Sequence, residues 1–303
     1  MIILGHKQFK KLYLSNSILR NILKIFPDTV YIPIMYFLQT GNIISLKSPK
    51  TYCEKIQWLK LYGNYEELSD YADKSKAKMI AEASIGKAHI IPTLGVWNRF
   101  EDIDFDSLPN NFILKCTHDS GSNFICQNKN NIPYKKLKKF FKKRLHINYY
   151  WYLRERQYKN ITPKILAEPL LSTSNSLIDY KFFCFNGLPK VLMVVHVVDG
   201  KRYSNYFDEQ LKPINVSMGN PSYIGDTKLP ENIHEMYQTA QLLSADLKHV
   251  RIDLYNIDGK IYFGEYTFHH WSGMLDIQPL DFNILLGKMI DCSLIDEKFE
   301  LFR

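Results

Sequence analysis

The reading of this chain turns on Val250-Arg251-Ile252-Asp253-Leu254-Tyr255-Asn256-Ile257-Asp258-Gly259-Lys260-Ile261-Tyr262-Phe263-Gly264-Glu265-Tyr266-Thr267. Val250, Ile252 and Leu254 alternate with Arg251, Asp253 and Tyr255, the period of a strand with one apolar face. Asp258-Gly259 marks the turn, and Lys260 to Thr267 returns as the partner strand. A two-residue loop pairs Asp253 with Gly264 and sends Glu265 to the opposite face. A three-residue loop, Ile257-Asp258-Gly259, pairs Asp253 with Phe263 and Arg251 with Glu265. In that register Asp253 and Glu265 are diagonal neighbours, roughly 7–8 Å apart at the backbone. Both carboxylates then converge on hard cations such as Mg²⁺. A surface ladder of ion pairs through Arg251 is the competing structural reading. The hairpin alone leaves the two open.

Upstream, Pro230 starts a helix whose apolar positions Ile233, Met236, Tyr237, Ala240, Leu243 and Leu247 keep the helical period. Tyr180 to Phe185 and Val191 to Val198 flank Asn186-Gly187, a second hairpin signal. Ile165 to Leu171 reads as a strand. Phe112 to Cys116 and Phe124 to Cys126 read as strands joined by His118-Asp119-Ser120-Gly121-Ser122-Asn123. Asp73 to Ile85 reads as a helix, with Asp73 as cap and Gly86 at its end. Tyr52 to Tyr62 is a helix following Ser48-Pro49, and Ile90 to Trp97 a short strand. Residues 1–65 look mainly helical, with one helix ending before Pro27. No internal repeat and no Ser/Gly-rich linker divides the chain.

The 303 residues suit two domains or one large fold with lobes. A hydrophobic content of 46%, with Gly 14 and Pro 13, excludes collagen-like, low-complexity and largely disordered states. No run of about 18 apolar residues is present, so no membrane-spanning helix is expected. The N-terminal MIILGHKQFKK is apolar first and basic after, the reverse of a secretory signal, and a cytosolic protein is expected. Cys53, Cys116, Cys126, Cys184 and Cys292 are odd in number, scattered and without a CxxC. Buried reduced thiols are the expectation, not disulfides or a cysteine-rich zinc site.

The net charge of +8 is mostly local. Lys135, Lys136, Lys138, Lys139, Lys142, Lys143 and Arg144 hold seven of those charges, and the rest of the chain keeps +1. Leu137, Phe140, Phe141 and Leu145 predict an amphipathic helix with a basic outer face. The plain reading is a solvated face. The functional one is attraction to acidic sugar polymers or to anionic lipid at the inner membrane surface, through 135–145. No nucleic-acid motif accompanies the patch, and no nucleic-acid partner is expected.

Several further residues carry chemistry. Lys115 precedes the Ser120-Gly121-Ser122 loop, which leads into a strand and so is neither a Walker A nor a Rossmann turn. A hairpin lid over phosphates is the remaining phosphate-binding geometry, with an ordinary turn as its plain reading. Lys74 follows the capping Asp73. Glu168 ends an apolar strand, where a lone carboxylate needs a partner. Asp179 and Lys181 alternate with Phe182 and Cys184. Three lysines, an arginine and two carboxylates at element ends are an inventory for a nucleoside triphosphate and magnesium.

The order of these pieces resembles the TupA-like ATP-grasp family found among surface-polysaccharide genes. The matching residues run from about 30 to 280. They are Pro49-Lys50-Thr51, Glu54-Lys55-Ile56-Gln57-Trp58-Leu59-Lys60, Asp73-Lys74, Phe112-Ile113-Leu114-Lys115 and His118-Asp119-Ser120-Gly121. Glu168, Asp179-Tyr180-Lys181, Phe185-Asn186-Gly187, Arg251-Ile252-Asp253-Leu254-Tyr255 and Gly264-Glu265-Tyr266-Thr267 follow.

The resemblance implies an α+β ATP-grasp fold, two subdomains clamping ATP, with an N-terminal helical extension. The implied parts are a helical region 1–65, an N-terminal and lid part 66–168, and a C-terminal lobe 169–303 with the metal-binding hairpin. It implies that Lys74 and Lys115 hold the α/β-phosphates and that Ser120, Gly121 and Ser122 close over them. Glu168 and the backbone around Leu170 would bind adenine and ribose, and Lys181 the γ-phosphate. Asp253, Glu265 and Thr267 would hold Mg²⁺, as two ions, and Arg251 would stabilise the transferring phosphoryl group. Thr267 stands where many of these enzymes carry Asn, a stronger metal ligand.

The implied reaction activates a carboxylate as an acyl phosphate and passes it to an amine. The expected substrates are a uronic acid of a capsule, O-antigen or teichuronic-type polysaccharide, lipid-linked or free, and an amino acid or other amine. Arg202, His269 and His270 are candidates for the acceptor side, with packing at the cleft rim as the plain reading of His269-His270-Trp271. The runner-up is a glycosyltransferase using the Asp-x-Asp of Glu101-Asp102-Ile103-Asp104-Phe105-Asp106. A non-catalytic nucleotide- or polymer-binding component is the third reading.

Overall fold

The computed structural model describes residues 22–171 and 177–292. The N-terminal stretch from which localisation was read lies outside them. The fold is α+β, built on two antiparallel sheets and a short third one. Strands β1 (Gly95–Trp97), β2 (Phe112–Cys116), β3 (Asn123–Cys126) and β4 (Ile165–Pro169) form a four-stranded sheet in the order β1-β4-β2-β3. Strands β5 (Asp179–Phe185), β6 (Leu188–Val198), β7 (Lys201–Phe207) and β8 (Pro213–Ile214) continue the chain. They join β10 (His249–Ile257) and β11 (Lys260–Thr267) in a six-stranded sheet ordered β11-β10-β5-β6-β7-β8. β9 (Ser217–Met218) pairs with β12 (Ile277–Gln278).

The six-stranded sheet is covered on both faces, so its strands carry apolar side chains in both directions. Phe182, Cys184, Leu192, Val194, Val250, Ile252 and Leu254 pack against the helices Lys74–Ile85 and Ile233–Ser244. Phe183, Phe185, Val191 and Val195 face the other way, against the helices Asp28–Thr40, Tyr52–Tyr62 and Leu280–Lys288. On that second face, toward the end of the sheet that bears the hairpin, the apolar cover gives way to Lys181, Arg251 and Asp253. Strand alternation puts all three on one side. The four-stranded sheet has its own core, in which Phe112, Leu114, Ile165 and Ala167 meet Phe100, Phe105, Leu137 and Phe141.

Local signals explain the element ends. Thr51 caps the helix Tyr52–Tyr62 in a reciprocal box: its Oγ1 accepts from the Glu54 N–H at 3.2 Å, and Glu54 Oε2 accepts from the Thr51 N–H at 3.0 Å. Asp73 caps the helix Lys74–Ile85 by accepting from the Ser75 N–H at 2.9 Å. That helix joins the two sheets. The Lys74 N–H donates to the Thr117 carbonyl at 3.1 Å, beside the β2–β3 loop, while Ala77 and Ala81 lie in the core of the six-stranded sheet.

Three expectations are corrected. The strand read over Ile90–Trp97 is ordered only as Gly95–Trp97, because Pro92 interrupts it and Ile90 makes one isolated bridge to Phe263. Phe140 stays 38% exposed on the basic helix Tyr134–Leu145; Leu137 and Phe141 make the buried seam. The hairpin follows neither anticipated register. Ile257 pairs with Lys260 across a two-residue turn, with Asp258 and Gly259 both left-handed. A bulge then shifts the register between Asp253 and Leu254, so that Leu254 pairs with Phe263 and Asp253 with Glu265. Gly264 is the extra residue. A Cβ there would come within 2.9 Å of the Asp253 carbonyl, which is why the bulge is built on glycine.

All five cysteines are buried and free. Among the described residues no helix is long and apolar enough to cross a membrane.

Candidate active site

The bulge decides the chemistry of the cleft. By inserting Gly264 it turns Glu265 onto the face that carries Asp253, directly opposite rather than diagonal, with Arg251 opposite Thr267. Arg251 Nε donates to Asp253 Oδ1 at 2.6 Å and its Nη2 to Oδ2 at 2.8 Å. Lys181, paired with Asp253 across β5 and β10, donates to the same Oδ2. Asp179 Oδ2 lies 3.4 Å from the Lys181 ammonium. Burial raises the Asp253 carboxyl, but Arg251 and then Lys181 outweigh it and hold the group down at about 2. Glu265 is different. Its side chain is 46% exposed, and Arg251 Nη2 stands 3.5 Å away. Arg251 Nη2 donates to Thr267 Oγ1 at 3.0 Å, and that hydroxyl donates to Glu265 Oε1 at 3.2 Å.

Both sheets line one cleft of about 310 Å³. Lys115 projects from β2, two residues on from Ile113, which pairs with Glu168 of β4. Lys115 and Glu168 are therefore diagonal neighbours on one face. Lys115 Nζ lies 2.6 Å from Glu168 Oε2, and Lys78 Nζ lies 2.8 Å from Oε1. Burial raises the Glu168 carboxyl, but the Lys115 and Lys78 ammoniums together hold it below the usual range. Burial lowers both Lys74 and Lys78, against the pull of nearby carboxylates.

The β2–β3 loop is held from behind. Arg144, at the end of the basic helix, donates through Nε to Asp119 Oδ2 at 2.8 Å and to Ser122 Oγ at 2.7 Å. Its Nη2 reaches the Ser120 carbonyl at 3.2 Å. Ser122 donates to Asp119, and Lys74 Nζ donates to the Asp119 carbonyl. The basic helix is thus tied to the loop by its last cation.

Of the residues singled out in the sequence, the cleft gathers Lys74, Lys115, Ser120, Gly121, Glu168, Lys181, Arg202, Arg251, Asp253, Glu265 and His270. Thr267 and His269 line an adjoining cavity of about 330 Å³ that shares Ser120, Arg251, Glu265 and Trp271 with the cleft. Ser122 does not line the cleft: it is 1% exposed and supports the loop from inside. Leu170 sits just past β4 and does not line it either. His270 accepts a hydrogen bond at Nδ1 from Arg251 Nη1, 2.6 Å away, and burial keeps it neutral well below its ordinary value. His269 is buried against Gln157 and Glu155, 3.1 and 3.6 Å from Nδ1.

Sequence reading missed Lys78, Glu155 and Asn220, quoted Asn123 and Tyr255 without giving either a role, and took Trp271 only as packing at the cleft rim. Lys78 had a signal: it lies one helical turn after Lys74. Glu155 had none, since it precedes a single 3₁₀ turn and only the fold brings it to His269. The Asp-x-Asp carboxylates serve local turns. Asp102 pairs with Arg99 at 2.6 Å, and Asp104 Oδ1 accepts from the Asp106 N–H at 3.1 Å.

Asp253, Glu265 and the Thr267 hydroxyl are hard oxygen donors on one face. Three of the roughly four lone-pair positions of the Asp253 carboxylate are taken by Arg251 and Lys181, which leaves one. Among the described residues no three His, Cys, Asp or Glu side chains converge as a complete cage. One or two carboxylates completed by substrate phosphate oxygens is the way Mg²⁺ is usually held, so the donor set fits that ion.

This fold and this cleft define a protein of the ATP-grasp class. The chain belongs to the TupA-like ATP-grasp family, whose model matches residues 54–291. No curated protein matches the sequence. Solved structures similar to the chain include D-alanine–D-alanine ligase from Bacillus anthracis, at 15% identity and TM-score 0.41, over 75% of this chain and 69% of that one. The ATP-grasp ligase PsnB, complexed with minimal precursor, is similar at 10% identity and TM-score 0.40, over 91% and 75%. N5-carboxyaminoimidazole synthase from Aspergillus clavatus is similar at 11% identity and TM-score 0.37, over 67% of this chain and 46% of that one.

Proposed function

We propose that the protein joins a carboxylate to an amine at the expense of ATP, through an acyl phosphate. The observation that carries this reading is the single cleft in which Lys74, Lys78, Lys115, Lys181 and Arg251 face Asp253 and Glu265. A carboxylate nucleophile must approach a triphosphate that is already anionic, and fixed cations offset that repulsion. Lys74, Lys78 and Lys115 hold the α- and β-phosphates under the Ser120–Gly121 loop, with Ser122 as its internal support. Glu168 fixes the two ammoniums it binds and borders the adenine and ribose. Lys181 faces the γ-phosphate. Arg251 stabilises the phosphoryl group in transfer. Asp253 and Glu265 hold magnesium, as two ions, and Thr267 orients Glu265. Magnesium neutralises phosphate charge there.

The substrate carboxylate attacks the γ-phosphorus and releases ADP; the amine then displaces inorganic phosphate and forms the amide. The acid is a uronic acid of a surface polysaccharide, and the amine an amino acid or amino alcohol. His269 and the adjoining cavity lie on the acceptor side, and the chemistry takes place in the cytoplasm, at the inner face of the membrane. Mass spectrometry of the host's surface glycan, with and without the protein, tests the reading. Loss of one amide-linked substituent is expected; an unchanged glycan overturns it.

A further inference from the structure

Half of the residues lining the cleft are charged, and Met193 and Val195 on its wall are buried, but one large apolar side chain is left open to it. Trp271 is 56% exposed and lines both the main cleft and the adjoining cavity. It lies at their shared boundary with Ser120, Arg251 and Glu265, whereas Lys78, Lys115 and Glu168 line the main cleft but not the adjoining cavity. A large apolar surface kept open in a polar cleft needs a reason.

The backbone beneath it gives a second observation. Trp271, Ser272 and Gly273 follow one another at φ 47°, 58° and 63°. Two successive non-glycine residues in the left-handed region are costly, by roughly 1–2 kcal/mol each, and persist only where neighbours enforce them. The neighbours here are buried and specific. Lys60 Nζ donates to the Ser272 carbonyl and to Ser272 Oγ, both at 2.6 Å, and to Gln57 Oε1 at 3.0 Å. Gln57 Nε2 donates to the same carbonyl at 2.8 Å. A fully buried lysine and glutamine therefore pin the turn that presents the indole. Gly219 lets one edge of the ring settle close, since a Cβ there would lie 3.3 Å from Trp271 Cε2 and Nε1.

Arg202 and Asn220 line the same cleft. Among the described residues Arg202 forms no ion pair. An indole, a guanidinium and a carboxamide together match one kind of ligand: a ring with an apolar C–H face, hydroxyl groups and a carboxylate.

We propose that Trp271 is the platform for the sugar ring of the acid substrate, with Arg202 drawing in its carboxylate and Asn220 meeting its hydroxyls. This inference rests on the ligase reading of the cleft. It adds that the acid is recognised as a pyranose ring and not merely as an anion.

The test is titration calorimetry with ADP and magnesium present, using methyl β-D-glucuronide and the open-chain acid D-gluconate as probes. ADP affinity is measured in parallel. The wild type is expected to prefer the cyclic acid about tenfold, an effect the size of one good aromatic contact. Trp271→Ala is expected to lose about tenfold for the glucuronide with unchanged ADP affinity, and Trp271→Phe to stay within about threefold of wild type. Equal affinity of wild type for the two acids overturns the proposal. So does Trp271→Ala binding the glucuronide as tightly as wild type, or weakening ADP equally, which would place the indole on the nucleotide. ADP binding with no glucuronide binding removes the ring subsite and leaves the nucleotide reading standing. Failure of wild type to bind ADP breaks that reading and this inference with it.

Discussion

On one side of the cleft, Lys74, Lys78 and Lys115 meet a single carboxylate, Glu168. On the other, Lys181 and Arg251 meet three, Asp179, Asp253 and Glu265. The first wall has cations in excess and suits phosphate. The second has carboxylates in excess and suits a metal ion. The two also use their carboxylates differently. Glu168 and Asp253 are buried and each is bound by two cationic side chains, so each fixes cations at low local dielectric, and Asp253 keeps one lone-pair position over. Glu265 is half exposed and only lightly held, so it is the carboxylate free to change partners.

The largest effect should separate Asp253 from Glu265. Asp253→Ala leaves Lys181 and Arg251 buried without their shared anion. We expect ADP release to fall by at least about 10³-fold and stability by about 3–5 kcal/mol. Glu265→Ala should lower turnover comparably while shifting stability by no more than about 0.5 kcal/mol. ADP-coupled assays and denaturant melts read both. Unchanged ADP production in the two variants would refute the metal assignment.

The phosphate wall should respond in its own way. Lys115→Ala leaves Glu168 still held by Lys78, so stability should change little while ATP affinity falls about tenfold to a hundredfold. ATP affinity equal to the parent, by calorimetry, would take Lys115 out of the site.

How much of this was legible can be traced residue by residue. Asp258-Gly259 fixed the position of the hairpin, because two left-handed residues in a row restrict the choice of side chains. The bulge at Gly264 was not legible: a glycine inside a strand signals several things, and only pairing with β10 shows which. The two candidate registers bracketed the outcome but did not contain it. The helix Lys74–Ile85 was legible from its cap, yet Lys78 was passed over although it follows Lys74 by one turn. β7 was missed because Lys-Arg-Tyr-Ser-Asn-Tyr-Phe is polar at four of seven positions, and its order comes from pairing with β6. Nothing in the run Tyr52–Tyr62 marks Lys60 as buried; its burial beneath Ser272 is purely tertiary information.

Lys60 also offers a test of how firmly the second wall is supported. Burial outweighs the pull of Glu155 and lowers its ammonium from the ordinary 10.5 to about 8. Between those values the unfolded chain binds a proton that the native state does not. Stability contributed by this group therefore rises with pH from about 8 to 10.5, at up to about 1.4 kcal/mol per pH unit. Tyrosine ionisation acts in the opposite direction but equally in a variant. Wild type should thus gain on Lys60→Met by roughly 2 kcal/mol between pH 8 and 10 in denaturant melts. Parallel pH curves would show that Lys60 is not buried as a strained cation.

The smallest effect concerns the basic helix, and it divides one run of charge into two functions. Arg144 is turned inward to Asp119, Ser120 and Ser122, whereas Lys135, Lys136, Lys139, Lys142 and Lys143 remain on the outer face with half-exposed Phe140 among them. An outer face of this kind attracts anionic surfaces at a distance and loses the attraction in salt. Reversing four of the lysines to glutamate should leave ATP affinity within about twofold, because their charges are screened from the cleft over a Debye length. The same change should abolish salt-sensitive sedimentation with phosphatidylserine vesicles. Arg144→Gln should do the converse: vesicle binding kept, and ATP affinity lowered severalfold through a loosened β2–β3 loop. If wild type shows no salt-sensitive sedimentation, the outer lysines are a solvated face, and the single cation that matters in this run is the one that points the other way.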